Sequence, residues 1–159
     1  MSHRWLALGA ALAACGDDRT DPNSCQPDGT AQLDQGELLG APIGPFARAH
    51  VVSSAGPTAI VLDEASGACG VTASSGKHIV LLWCEPPTPG TYVVVSERLF
   101  DCPGANVLGL IEQSDGVDLG SAISGTISID SAAGCVRGTF ELSFGENPVT
   151  GELDARVCE

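Results

Sequence analysis

Glycine and proline interrupt this chain so often that a helix has almost nowhere to form. Beyond residue 15 the longest stretch free of both is Thr91–Cys102, which opens Thr-Tyr-Val-Val-Val. An interior glycine costs a helix about 1 kcal/mol and a proline about 3 kcal/mol, while β-branched and aromatic residues favour strand. The chain is therefore expected to be all-β. Further strands are expected at Ala47–Ser53, Thr58–Asp63, His78–Cys84 and Val107–Glu112. Between them lie the turn sequences Gly56-Pro57, Ser75-Gly76, Pro86-Pro87-Thr88-Pro89-Gly90, Pro103-Gly104 and Ser114-Asp115-Gly116. His78-Ile-Val-Leu-Leu-Trp-Cys84 is apolar almost throughout, the pattern of a strand covered on both faces.

The C-terminal third alternates more regularly. Gly125, Gly138 and Gly151 recur every 13 residues, and each opens a run in which polar and apolar residues take turns. Val136, Gly138, Phe140, Leu142 and Phe144 share one face of the second run; Val149, Gly151, Leu153, Ala155 and Val157 share one face of the third. Period-two alternation with one wet face predicts an antiparallel meander. Glycine on the apolar face permits a sharp bend or makes room for a neighbour's ring. Together the segments predict an antiparallel β-sandwich or barrel of about eight short strands.

The amino end follows different rules. Arg4 precedes an apolar run, Trp5–Ala14, that is half the length of the roughly 20 residues a helix needs to span a bilayer. A positive start, a short apolar stretch and small closing residues are the layout of a secretory signal. Its last four residues, Leu12-Ala13-Ala14-Cys15, resemble the lipobox of bacterial lipoproteins. The resemblance implies cleavage before Cys15, a diacylglyceryl group on its thiol and acylation of the new amino end, as by palmitate. Several acyl chains anchor a protein stably where one does so only marginally. Gly16, in place of Asp, implies the outer membrane over the inner. The rival is ordinary cleavage after Ala13, which leaves Cys15 as a thiol and an odd cysteine count.

Setting Cys15 aside leaves Cys25, Cys69, Cys84, Cys102, Cys135 and Cys158, none spaced as Cys-x-x-Cys. In an oxidising envelope these are expected to form three disulfides, with fifteen pairings open. Residues 16–36 hold one large apolar residue, Leu33, too little to offset the entropy of ordering. The chain is thus divided into a signal (1–14), a lipid-anchored acidic tether (15–36) and an all-β domain (37–159). The ending, Gly138-Thr-Phe-Glu-Leu-Ser-Phe144 with Thr150-Gly-Glu-Leu-Asp-Ala-Arg-Val-Cys158, resembles the closing strands of uncharacterised bacterial envelope lipoproteins, with Leu153 where those carry a second Phe. That resemblance implies architecture and no activity.

Seven Lys and Arg face 20 Asp and Glu, a net charge of −13 that becomes −14 when Arg4 is lost with the signal. Such a chain has few cations with which to displace counterions from nucleic acid, and its field draws cationic partners. Catalytic material is sparse. His50 and His78 lie in no metal-ligand spacing and read as polar residues at strand ends. Gly70–His78 misses the phosphate-loop spacing, no Gly-x-Ser-x-Gly occurs, and Asp115 and Asp118 read as part of an ordinary turn in preference to a calcium loop. A hydrolase would need two of Glu85, Glu97, Asp101 and Asp118 to converge. Trp83 and Tyr92 are the only polar-edged aromatics available for stacking a sugar. The expectation is a membrane-anchored, non-catalytic binding or structural module without cofactor or metal. A concrete version is an inhibitor of a basic enzyme such as a lysozyme, and the alternative is an envelope hydrolase.

Overall fold

The computed structural model describes Cys25 and residues 29–38, 41–53, 57–71, 75–102, 104–113, 118–145 and 148–158. Residues 1–14, read as a signal, Cys15 and most of the segment read as an acidic tether lie outside these residues. Among them are twelve strands: β1 (Thr30–Gln35), β2 (Glu37–Leu38), β3 (Ala41–Pro42), β4 (Arg48–Ser53), β5 (Thr58–Asp63), β6 (Lys77–Trp83), β7 (Gly90–Val95), β8 (Asn106–Gln113), β9 (Asp118–Ser121), β10 (Ser124–Ser131), β11 (Cys135–Ser143) and β12 (Pro148–Val157). One turn of 3₁₀ helix, Glu97–Leu99, is the only helical element among the described residues. The all-β expectation holds, and β5 has the predicted bounds.

Eight strands close into a barrel, in the order β4-β5-β6-β8-β7-β10-β11-β12 and back to β4. Two antiparallel half-sheets, β4-β5-β6-β8 and β7-β10-β11-β12, meet at two parallel seams. The seams are short: Val93–Val95 against Asn106–Leu108, and Arg156–Val157 against His50–Val51. Beyond each seam a further strand covers the remaining edge. β9 pairs with Leu110–Glu112 of β8, and β1 pairs with Thr150–Asp154 of β12. Closure removes the unpaired strand edges that invite aggregation.

The interior follows from alternation. Ala49, Leu62, Ile79 and Ile111 lie opposite one another across the first half-sheet and are wholly buried. Ile127, Phe140 and Leu153 are buried on the second. The expected meander is β10-β11-β12, with Val136, Gly138, Phe140 and Leu142 inward; Val157, at the end of its run, is exposed. A Cβ on Gly138 would strike the carbonyl of Ser128, and one on Gly151 that of Gln32. The 13-residue glycines therefore admit a neighbouring backbone, which lets the sheet coil tightly. Phe140 also stands directly opposite Gly151.

Three disulfides brace the outside: Cys25–Cys135, Cys69–Cys158 and Cys84–Cys102. Their Cα atoms are 5.4 to 5.5 Å apart, ordinary for such bonds. The first ties the amino-terminal segment to β11, the second ties the β5–β6 connection to the end of β12, and the third ties the end of β6 to the β7–β8 crossover.

Two expectations are corrected. Thr30–Gln35, assigned to the tether, is a strand: Ala31 is buried in the core and Leu33 packs against it. Backbone pairing to β12 supplies what six mostly polar residues could not supply alone. β6 is not covered on both faces. Ile79, Leu81 and Trp83 are buried inward, while Val80 and Leu82 on the outer face are half-buried.

Candidate functional site

Hairpin register places chemistry together that the linear sequence scatters. Arg48 lies opposite Asp63, Asp63 opposite His78, and His78 opposite Glu112, forming one polar row across the outer face of β4-β5-β6-β8. Arg48 and Asp63 are 2% and 0% exposed. Arg48 Nε donates to Asp63 Oδ2 at 2.8 Å, and its two terminal nitrogens donate to the carbonyls of Ala68 and Val71. The guanidinium thus holds the Glu64–Val71 part of the β5–β6 connection against the barrel as a strap. Glu64 adds to this by accepting from the backbone N–H groups of Gly44 and Lys77, each at 2.9 Å. His78 meets Glu112 at 3.2 Å.

His50 shares that outer face and is 1% exposed. It sits inside β4, not at a strand end. Its Nδ1 is 3.6 Å from Asp63 Oδ2, and neither ring nitrogen has a hydrogen-bond partner among the described residues. Burial, then the neighbouring Arg48 charge, holds its pKa below the ordinary value, against a smaller upward pull from Asp63. A histidine that resists protonation in the folded state makes the unfolded state the better proton acceptor. His50 therefore contributes stability that is full above about pH 6.5 and lost as pH falls through its lower folded-state value. The urea midpoint should fall between about pH 7 and pH 5, and His50→Gln should flatten that slope.

Glu85, Glu97 and Asp101 are exposed, Glu85 and Asp101 flanking the Cys84–Cys102 disulfide; Glu85 lines a cleft, and Asp118 opens β9. Asp115 lies outside the described residues. The Glu85 cleft, about 430 Å³, is bounded by Trp83, Pro86, Thr88, Tyr92 and Gly104. Trp83 and Tyr92 meet edge to face, ring centres 5.9 Å apart, and the Tyr92 hydroxyl donates to the Thr88 carbonyl at 2.8 Å. At 2% exposure the Trp83 ring belongs to the core and offers no open plate for a sugar.

A third surface is the outer face of β10-β11-β12. Thr126, Ser128, Thr139 and Thr150 alternate there with Asp130, Glu141, Glu152 and Asp154. Arg137 pairs with Asp154 at 3.3 Å. Shallow recesses of about 380 and 260 Å³ lie on this face, the first lined by Asp130, Arg137, Glu152 and Asp154, the second by Glu141 and Glu152. Among the described residues one group has metal-ligand proximity, Cys25, Cys135 and Asp154, and its two sulfurs are bonded to each other.

The alternation of β10–β12 already marked a polar outer face in the sequence. The Arg48–Asp63 row was missed, although the short connection between Ser53 and Thr58 fixes a register that sets residue 48 opposite 63. No protein-family model, curated protein or solved structure matches the chain.

Proposed function

We propose that this chain is a lipid-anchored, non-catalytic binding module of the cell envelope, held through Cys15, that presents the outer face of β10-β11-β12 to a cationic protein. The observation that carries the reading is the concentration of Asp130, Glu141, Glu152 and Asp154 on one hydroxyl-rich sheet face. Arg137 and Arg156 are the only cations on these three strands. Potential of one sign over a broad face steers a partner of the other sign and speeds its docking. The lipobox resemblance and the even count of disulfide cysteines support an envelope location, with the outer membrane favoured. An inhibitor of a basic enzyme such as a lysozyme is the concrete form.

The test uses a basic lysozyme as probe at low and at physiological salt. Capture is expected at low salt and should weaken at least about tenfold as the Debye length falls from about 30 to 8 Å. Glu141→Lys with Glu152→Lys should reduce capture at low salt by a similar factor. Capture indifferent to salt and to both substitutions overturns the acidic-face reading. Mass spectrometry of the mature amino end tests the anchor: an acylated Cys15 is expected, and an unmodified Met1 refutes it.

A further inference from the structure

The two outer faces of the barrel differ in kind. Opposite the acidic face, the outward positions of β4-β5-β6-β8 and the adjoining β7 carry Val52, Ala59, Val80, Leu82, Leu110 and Val95, all half-buried. Register makes them continuous. Val52, Ala59, Leu82, Leu108 and Val95 follow one another across five strands, and Val61, Val80 and Leu110 run beside them. Val93, next outward on β7, is 56% exposed. Strands about 4.8 Å apart and outward residues about 6.7 Å apart give these positions a footprint on the order of 300 Å², within which Val61 and Leu108 are themselves buried. That footprint lies at the lower end of the largest apolar patches that typical monomers leave in water.

We infer that this face pairs with the same face of a second copy of the chain. Charge selects the occupant. Across β4, β5, β6 and β8, Arg48 and Lys77 balance Asp63 and Glu112, so this half-sheet is neutral on a protein whose net charge is −13. Like-charged copies repel least here, and their acidic faces then point away from each other. A cationic protein is drawn to the opposite side, and an anionic lipid surface is repelled by the chain as a whole. Beyond the Arg48–Asp63–His78–Glu112 row and the buried His50, this face carries valine, leucine and alanine, and that part suits another sheet packed at about 10 Å. Two-fold pairing needs one self-complementary patch. Two patches with their rims approach the roughly 1,000 Å² at which specific interfaces begin, so the dimer is weak, with a dissociation constant on the order of 10–100 µM.

Sedimentation velocity of the full chain carrying Cys15→Ser tests this without acylation or a stray intermolecular disulfide. From about 5 to 300 µM a monomer–dimer equilibrium is expected, and it should tighten several-fold as salt screens the net charge. Val80→Glu should leave only monomer across that range, and Leu110→Gln should weaken pairing several-fold; unchanged circular dichroism and melting temperature show that each variant is folded. Glu141→Lys with Glu152→Lys should leave a dimer, which separates this inference from the acidic-face reading. A monomer at every concentration and salt, a dimer that loosens with salt, or one unaffected by folded Val80→Glu or Leu110→Gln overturns it. So does lysozyme capture that Val80→Glu abolishes, which would place the cationic partner on this face.

Discussion

Replacing Arg48 with alanine is expected to lower the unfolding free energy by about 3–5 kcal/mol, a large share of a small domain's stability. The effect comes from what is left behind. Asp63 is wholly buried and its Oδ1 has no partner among the described residues, so Arg48 supplies the charge and hydrogen bonds that make its burial tolerable. The carbonyls of Ala68 and Val71 lose their donors in the same step, and the strap should come loose from β4. Urea unfolding measures the first effect, and faster hydrogen exchange across Glu64–Val71 measures the second. Arg48→Met with Asp63→Leu should recover most of the loss, because a desolvated pair is replaceable by apolar residues while half of one is not. If Arg48→Ala proves neutral, the pair is not the pillar of the strap.

Converting both members of a disulfide to alanine is expected to cost about 4–5 kcal/mol for Cys25–Cys135 and for Cys69–Cys158, separated by 110 and 89 positions. For Cys84–Cys102, separated by 18, about 3 kcal/mol is expected. The ranking follows from the longer loops that the first two deny the unfolded chain. Cys69–Cys158 has a second effect. It fastens the strap at Cys69, between Ala68 and Val71 whose carbonyls Arg48 holds, so the two fastenings act on one element. In a double-mutant cycle, Arg48→Ala should cost at least about 1 kcal/mol less once Cys69 and Cys158 are alanine. Strict additivity would show that the strap does not link them. Unfolding midpoints in urea give every corner of the cycle.

The row that contains Arg48 was hidden in the sequence for a physical reason. Arg48 and Asp63 fall within the expected strands Ala47–Ser53 and Thr58–Asp63, yet nothing in either strand alone marks them as a pair. His78 joins them through the β5–β6 pairing, and Glu112 only because β8, and not β7, pairs with β6. Order within a sheet is set by how the whole core closes, not by the residues of any one strand. Leu33 teaches the same lesson. Alone among polar neighbours it gave no sign of strand, and it is β12 that gives β1 its backbone partners. Glu85 and Asp101 are brought to one place by the Cys84–Cys102 disulfide, a pairing that local composition does not encode.

The sequence by itself determined that the chain is all-β, where most of its strands begin and end, and that β10-β11-β12 form a meander. Those properties rest on glycine and proline spacing, β-branching and period-two alternation, which act over a few residues. Only the tertiary structure decided that the sheet closes on itself through two short parallel seams and which of the fifteen cysteine pairings is realised. It also decided that acidic side chains gather on the outer face of β10-β11-β12, while that of β4-β5-β6-β8 sets a polar row beside apolar positions. Each of these joins segments tens of residues apart, and such contacts are chosen by the simultaneous burial of one interior, to which every strand contributes and which none specifies alone.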